Sequence, residues 1–69
     1  MNNISIRNYI TNNFKDDNKT EIKEAIEDSI NEGLEEALPG LGVFMEIIWK
    51  NSNDELKNEL LDILKAHLN

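Results

Sequence analysis

The feature that most constrains the fold is the apolar segment from residue 38 to residue 51. At a helical period of about 100° per residue, its single acid, Glu46, shares one narrow polar wedge with Lys50. A helix that is apolar nearly all round must be covered nearly all round. We therefore predict a central helix over about residues 41–51. Its candidate core or partner-surface residues are Leu41, Val43, Phe44, Met45, Ile47, Ile48 and Trp49.

The rest of the sequence predicts three further helices. Apolar residues recur at a period of about 3.6 over residues 4–14, 19–37 and 53–67, and no segment alternates like a strand. We therefore predict an all-α fold, a compact bundle of four short helices in a single small domain over residues 1–69. In this bundle the apolar third helix packs against the second and fourth helices, and the first helix closes one side.

Two helix starts carry the spacing of a capping box, in which a side chain and a backbone N–H bond reciprocally. Asn18 with Glu21 marks the start of the second helix. Ser52 with Glu55 marks the start of the fourth helix. We therefore expect both starts to be stabilised by these pairs.

The end of the second helix depends on a glycine and a proline. Gly33 lies within the apolar stripe of this helix, and the stripe stays in phase as far as Leu38. We therefore expect the helix to include Gly33, at a cost of about 1 kcal/mol relative to alanine, and to run to about Ala37. Pro39 then breaks it, because the residue before a proline is driven out of the helical region.

Charge and composition exclude several classes of function. Fourteen acidic residues against seven basic ones give a net charge of −7, which repels a phosphate backbone and disfavours direct DNA binding. The apolar run from Leu41 to Trp49 is much shorter than the roughly 20 residues of a membrane-spanning helix. The N-terminus lacks the pattern of a secretory signal. We therefore expect a soluble, intracellular protein.

The sequence offers little support for a metal site, a cofactor site or a catalytic site. The chain has no cysteine and a single histidine, His67, close to its C-terminal end, whereas a nucleophile needs an activating base beside it. Acids between the first two helices follow part of a calcium-loop register, but Glu21 stands where that loop requires glycine. We predict no catalytic, cofactor-binding or metal site, and not an enzyme.

The roles of Glu46 and of the large apolar residues in the third helix can each be interpreted in two ways. Glu46 either pairs with Lys50 at the i, i+4 spacing or is a buried acid that meets a partner group. Phe44, Met45 and Trp49 either belong to the core alone or also form a homodimer or partner surface, since such residues concentrate at interface centres.

Three short segments of the chain resemble the small acid-soluble spore protein I family of endospore-forming bacteria. They are residues 38–42 (Leu-Pro-Gly-Leu-Gly), residues 46–51 (Glu-Ile-Ile-Trp-Lys-Asn) and Ile6-Arg7-Asn8 near the start. The resemblance extends over essentially the whole chain. It implies a minor, non-enzymatic, sporulation-specific protein of the spore core, made in the forespore cytoplasm and acting by packing or protein interaction. No functional residues are known in the family, so none is transferred.

Two functions of other classes compete with this interpretation. Asp28-Ser29-Ile30 is similar to the prosthetic-group site of acyl carrier proteins, which are also small, acidic and helical. In those carriers the serine opens a helix, whereas Ser29 falls in the middle of the second apolar stripe. The second alternative is an acidic adaptor that binds a basic protein.

Overall fold

The computed structural model describes residues 5–68 and shows an all-α fold. Its elements are α1 (Ile6–Phe14), α2 (Lys19–Glu32), a 3₁₀ turn (Glu35–Ala37), α3 (Leu38–Lys50) and α4 (Asp54–His67). No strand occurs among the described residues. The predicted all-α class with four helices is confirmed. The predicted start of the first helix at residue 4, like residues 1–3 and 69, lies outside the described residues.

Hydrogen bonds from backbone N–H groups to side chains cap the N-termini of α1 and α2. The Ser5 hydroxyl accepts a hydrogen bond from the N–H of Asn8 at 3.2 Å. At α2, the Asn18 side chain accepts from the Glu21 N–H at 2.8 Å, and the Glu21 carboxylate accepts from the Asn18 N–H at 2.9 Å. Each bond satisfies an N–H that has no partner within the helix. The capping box predicted at Asn18 is confirmed.

The cap of α4 differs from the prediction by one residue. Asn53 is the N-cap, and its side-chain oxygen accepts from the N–H of Leu56 at 2.8 Å. The hydroxyl of Ser52 instead donates to the carbonyl of Ile48 at the end of α3. The predicted capping box of Ser52 with Glu55 is therefore wrong, because the serine satisfies the preceding helix rather than the following one.

The second helix ends earlier than the apolar stripe predicts. Gly33 adopts a left-handed conformation with φ of 66°, and its N–H donates to the carbonyl of Ser29 at 3.3 Å. Glycine enters this region without the steric cost that a Cβ brings, so it is a favoured helix terminator. The prediction that α2 continues to Ala37 is therefore wrong.

Pro39 begins a helix rather than ending one. The chain is extended at Leu34, forms the 3₁₀ turn, and enters α3 at Leu38. Pro39 lies in the first turn of α3. The missing N–H of proline costs nothing there, since no carbonyl of the helix precedes it. The third helix therefore starts three residues before the predicted Leu41.

The closest helix packing is between α1 and α3. The rings of Phe14 and Phe44 meet edge to face, with centroids 5.0 Å apart and planes at 79°. Gly40 lets the two helices approach, since a Cβ built there would lie 3.2 Å from Cδ1 of Ile10. The prediction made α2 and α4 the main neighbours of α3, but both lie less close to it than α1.

The core is small. Val43, at 8% exposure, is the one apolar residue that is buried in the described part of the chain. Met45, Ile47 and Ile48 of α3 are 37–45% exposed. The expectation that α3 is covered nearly all round is therefore wrong, because three short helices do not reach round its circumference.

Candidate interaction surface

The predicted residues of α3 divide between a covered side and an open side. Val43 is buried, whereas Leu41, Phe44 and Trp49 are half-buried. Met45, Ile47 and Ile48 are exposed. The helix therefore contributes both to the small core and to the surface.

An open apolar groove of about 270 Å³ lies between α1, α2 and α3. Its apolar walls are formed by Ile10, Phe14, Ile22, Ile26, Phe44, Ile47 and Ile48. Lys15 is the one charged residue in its lining. The groove is where α2 lies beside α3 without closing onto it.

A forked ion pair joins α1 to α3. Nε of Arg7 donates to Oε1 of Glu46 at 2.7 Å, and Nη2 donates to Oε2 at 2.9 Å. The Glu46 side chain is 31% exposed and that of Arg7 is 72% exposed. The paired geometry fixes both oxygens of the carboxylate at once. It therefore contributes, with the packing of Phe14 on Phe44, to the orientation of α1 along α3.

The ion pair lowers the pKa of Glu46. The hydrogen bond from Arg7 is the main cause; partial desolvation opposes it, while the charges of Arg7 and then Lys50 add to it. The same hydrogen bond raises the pKa of Arg7. Glu46 thus meets a partner from another helix, and the i, i+4 pair with Lys50 is not formed. No local spacing points to Arg7, since 39 positions separate the two residues.

Trp49 links α3 to α4. The Nζ atom of Lys57 lies 5.3 Å from the centroid of the indole ring. A cation over an indole face is attracted by the ring quadrupole. Lys57 is half-buried. The contact holds the start of α4 near the end of α3.

Several large apolar side chains of α4, with Leu68 directly after it, form an exposed surface, which we call the leucine face. They are 42–69% exposed. Its members are Leu56, Leu61, Ile63, Leu64 and Leu68. The sequence predicts that α4 has an apolar face, but not that this face is left open. A smaller exposed cluster, of Ile30, Leu34 and Leu38, lies where α2 is joined to α3.

Ser29 and His67 are the other side chains considered as functional candidates from the sequence. Ser29 lies near the end of α2, half-buried, with its carbonyl bonded to the N–H of Gly33. His67 is exposed at the end of α4. Between residues 5 and 68, no group of three His, Cys, Asp or Glu side chains converges as a metal site would require. No helix within that range has the length and apolarity needed to cross a membrane.

Comparison with known proteins identifies the family. The sequence model of small, acid-soluble spore protein I matches residues 4–68. The chain belongs to the small, acid-soluble spore protein I family. The resemblance carried by residues 38–51 is thereby confirmed. No solved structure matches the chain.

Family members from several bacteria match nearly the full chain. The small, acid-soluble spore protein I of Halalkalibacterium halodurans is 40% identical over 66 residues, covering 96% of this chain and 97% of the relative. That of Bacillus velezensis is 37% identical, covering 94% and 92%. That of Bacillus cereus strain G9842 is 38% identical, covering 93% of each. The family match therefore includes all four helices.

Proposed function

We propose that this chain is a minor, non-enzymatic protein of the spore core, made in the forespore, that acts by contact with protein surfaces. Its membership of the small, acid-soluble spore protein I family supports the spore setting. The observation that supports action by contact is the extent of exposed apolar side chains, which includes the whole leucine face of α4.

The exposed apolar surface favours contact because covering it releases free energy. Removing apolar surface from water contributes roughly 25 cal/mol per Å². Stable monomers seldom leave several contiguous large apolar side chains half exposed. An apolar surface of this kind is therefore better suited to binding another protein than to binding a small polar molecule.

Charge favours protein over nucleic acid as the contact. The net charge is −7, and the acidic residues include Asp54, Glu55, Glu59 and Asp62 of α4. A phosphate backbone is repelled by such a surface, since binding to it depends on Lys and Arg. Contact through the leucine face leaves these acids at its rim or beyond it.

Crosslinking inside intact dormant spores tests the mode of action. An amine-reactive crosslinker reaches Lys57 and Lys65, which lie on the same helix as the leucine face. Mass spectrometry is expected to show protein molecules joined through these two lysines, more than through Lys19 or Lys23 of α2. Crosslinks confined to single chains would contradict the proposed contact.

The site of action is tested separately by fractionation. An antibody against the chain is expected to detect it in forespores and in the core fraction of dormant spores, and not in vegetative cells. Detection mainly in the outer spore layers would contradict the spore-core assignment while leaving the crosslinking result unaffected.

The two alternative functions make different predictions in these experiments. An acyl carrier requires modification of Ser29, which lies near the end of α2 rather than at the helix start. An unmodified chain after incubation with a phosphopantetheinyl transferase would exclude it. An acidic adaptor predicts crosslinks to strongly basic proteins, formed mainly by residues outside the leucine face.

A further inference from the structure

The chain exposes much more surface than a self-contained monomer of its mass. Its accessible surface is 6014 Å². A folded monomer of 7.9 kDa is expected to expose about 4,400 Å². The excess is about 1,600 Å². A standard stable interface removes about 800 Å² from each partner, so the excess is sufficient for such an interface.

The interior is correspondingly small. Val43 is the single buried apolar residue of the described chain. Small domains without a sufficient core usually depend on disulfides, metals or oligomerisation. The sequence has no cysteine, and so no disulfide. Burial of surface between chains is the remaining source of stability for which the structure provides a surface.

The leucine face is the surface best suited to this burial. Leu61 and Leu64 lie one turn apart on α4, at the i, i+3 spacing of a helix–helix seam, and Leu68 follows directly after the helix ends. At about 100° per residue, the acids of α4 centre on the side of the helix opposite to Leu64, and Asp54 and Glu59 border the leucine face. Two chains meeting through this face would keep the carboxylates at its rim or beyond it, where they stay in water.

We propose that two copies of this chain form a homodimer through the leucine faces of their α4 helices. A fold with so small a core is expected to need an additional buried surface as soon as it is synthesised, and a second copy of the chain is always present at the same concentration. A two-fold arrangement uses the same patch on both chains, so one apolar face is sufficient. This inference rests on the proposed function, since it names the occupant of the same leucine face, but it does not depend on where the protein acts.

The two chains carry a net charge of −7 each, and their repulsion opposes dimerisation. Added salt screens exposed charges over distances beyond about 10 Å at 0.1 M. Dimerisation is therefore expected to strengthen as the salt concentration rises, whereas an interface held mainly by ion pairs would weaken.

Analytical ultracentrifugation with matched variants tests the proposal. The wild-type protein is expected to sediment with a molecular mass twice that of the 7.9 kDa chain. Leu64→Glu adds one negative charge to the leucine face, and Asn58→Glu adds the same charge to the polar side of α4. Leu64→Glu is expected to raise the dissociation constant by at least about tenfold, equivalent to 1.4 kcal/mol, and Asn58→Glu much less.

A second measurement applies even if Leu64→Glu fails to fold. Single-cysteine variants are unambiguous because the chain has no native cysteine. Under mild oxidation, Leu61→Cys is expected to form disulfide-linked dimers much faster than Asn58→Cys. A folded wild type with a concentration-independent monomer mass would overturn the proposal, as would equal dimer yields from the two cysteine variants.

Discussion

Glu46 and Arg7 show how one long-range pair can replace a local one. The i, i+4 spacing places Lys50 on the same strip of α3 as Glu46. The structure instead joins both oxygens of Glu46 to Arg7 of α1. A guanidinium offers a planar fork that fits a carboxylate, whereas an ammonium is a single point of charge. Arg7, whose guanidinium lies within hydrogen-bond distance of both oxygens of Glu46, therefore forms the hydrogen bonds instead of Lys50.

The first prediction concerns acid stability. The folded-state pKa of Glu46 lies below its usual 4.5, so the stabilisation is present above the unfolded pKa and is lost as pH falls through the lowered folded value. Arg7→Gln is therefore expected to destabilise the fold at neutral pH and to have little effect in strong acid. Urea unfolding at several pH values measures this difference.

The matched variant is Lys50→Gln, which removes the same charge from α3. Because Lys50 is the weakest influence on the pKa of Glu46, its replacement is expected to raise that pKa less than Arg7→Gln does. An NMR titration of Glu46 compares the two variants directly. A larger shift in Lys50→Gln would mean that the local pair is the one formed in solution.

The second prediction concerns the cap of α4. Asn53→Ala removes the acceptor of the Leu56 N–H and is expected to lower the free energy of unfolding by about 1 kcal/mol. Ser52→Ala removes only a donor to a carbonyl of α3 and should cost less. Urea unfolding of both variants makes the comparison. An equal or larger loss in Ser52→Ala would support the capping box that the sequence predicts.

At the scale of elements, three glycines serve different purposes. Gly33 ends α2 in a left-handed conformation. Gly40 lies within α3 where Ile10 of α1 approaches, and Gly42 has open space around its Cα. The sequence shows a glycine at each position but not which neighbour it meets. The apolar stripe stays in phase as far as Leu38, so periodicity alone predicts a longer α2 than the left-handed Gly33 allows.

The third prediction tests the contact of α1 with α3. Gly40→Val places a branched side chain against Ile10, which is already 3.2 Å from an added Cβ. Overpacking of this kind typically costs 1–3 kcal/mol. Gly42→Val changes helix propensity in the same way without the close contact. We expect Gly40→Val to lower the midpoint of thermal unfolding more than Gly42→Val; equal shifts would show that α1 is not packed there.

At the scale of the whole molecule, the small size of the chain limits how much of its apolar surface can be buried. Each helix has the apolar stripe that its sequence predicts, yet the stripes are only partly covered in a single chain. The radius of gyration is 13.6 Å, compared with about 11 Å for a globular chain of this length. The wider spread matches the large exposed area and the small core.

The fourth prediction concerns solubility in acid. Protonation of the carboxylates leaves the seven Lys and Arg residues, His67 and the amino terminus charged, a total of about +9. Like charge opposes precipitation. Solubility is therefore expected to be lowest near the pI of about 4.5 and to recover at lower pH.

Centrifugation of samples across this pH range, followed by measurement of the protein left in solution, checks the acid prediction. Folding is expected to weaken over the same range, because the ion pair of Arg7 with Glu46 is lost. Tryptophan fluorescence reports this weakening through Trp49. Persistent precipitation at pH 2 would contradict the charge argument.

The sequence by itself determined the helical class, the number of helices, the Asn18 cap and the family. These depend on spacings of three or four residues, or on short motifs, which can be read without knowing where distant residues lie. The tertiary structure decided that Arg7 reaches Glu46, that α1 is the closest neighbour of α3, and that the leucine face stays open. Those outcomes depend on how helices far apart in the chain are placed, and with so little apolar area to bury, no local pattern specifies that placement.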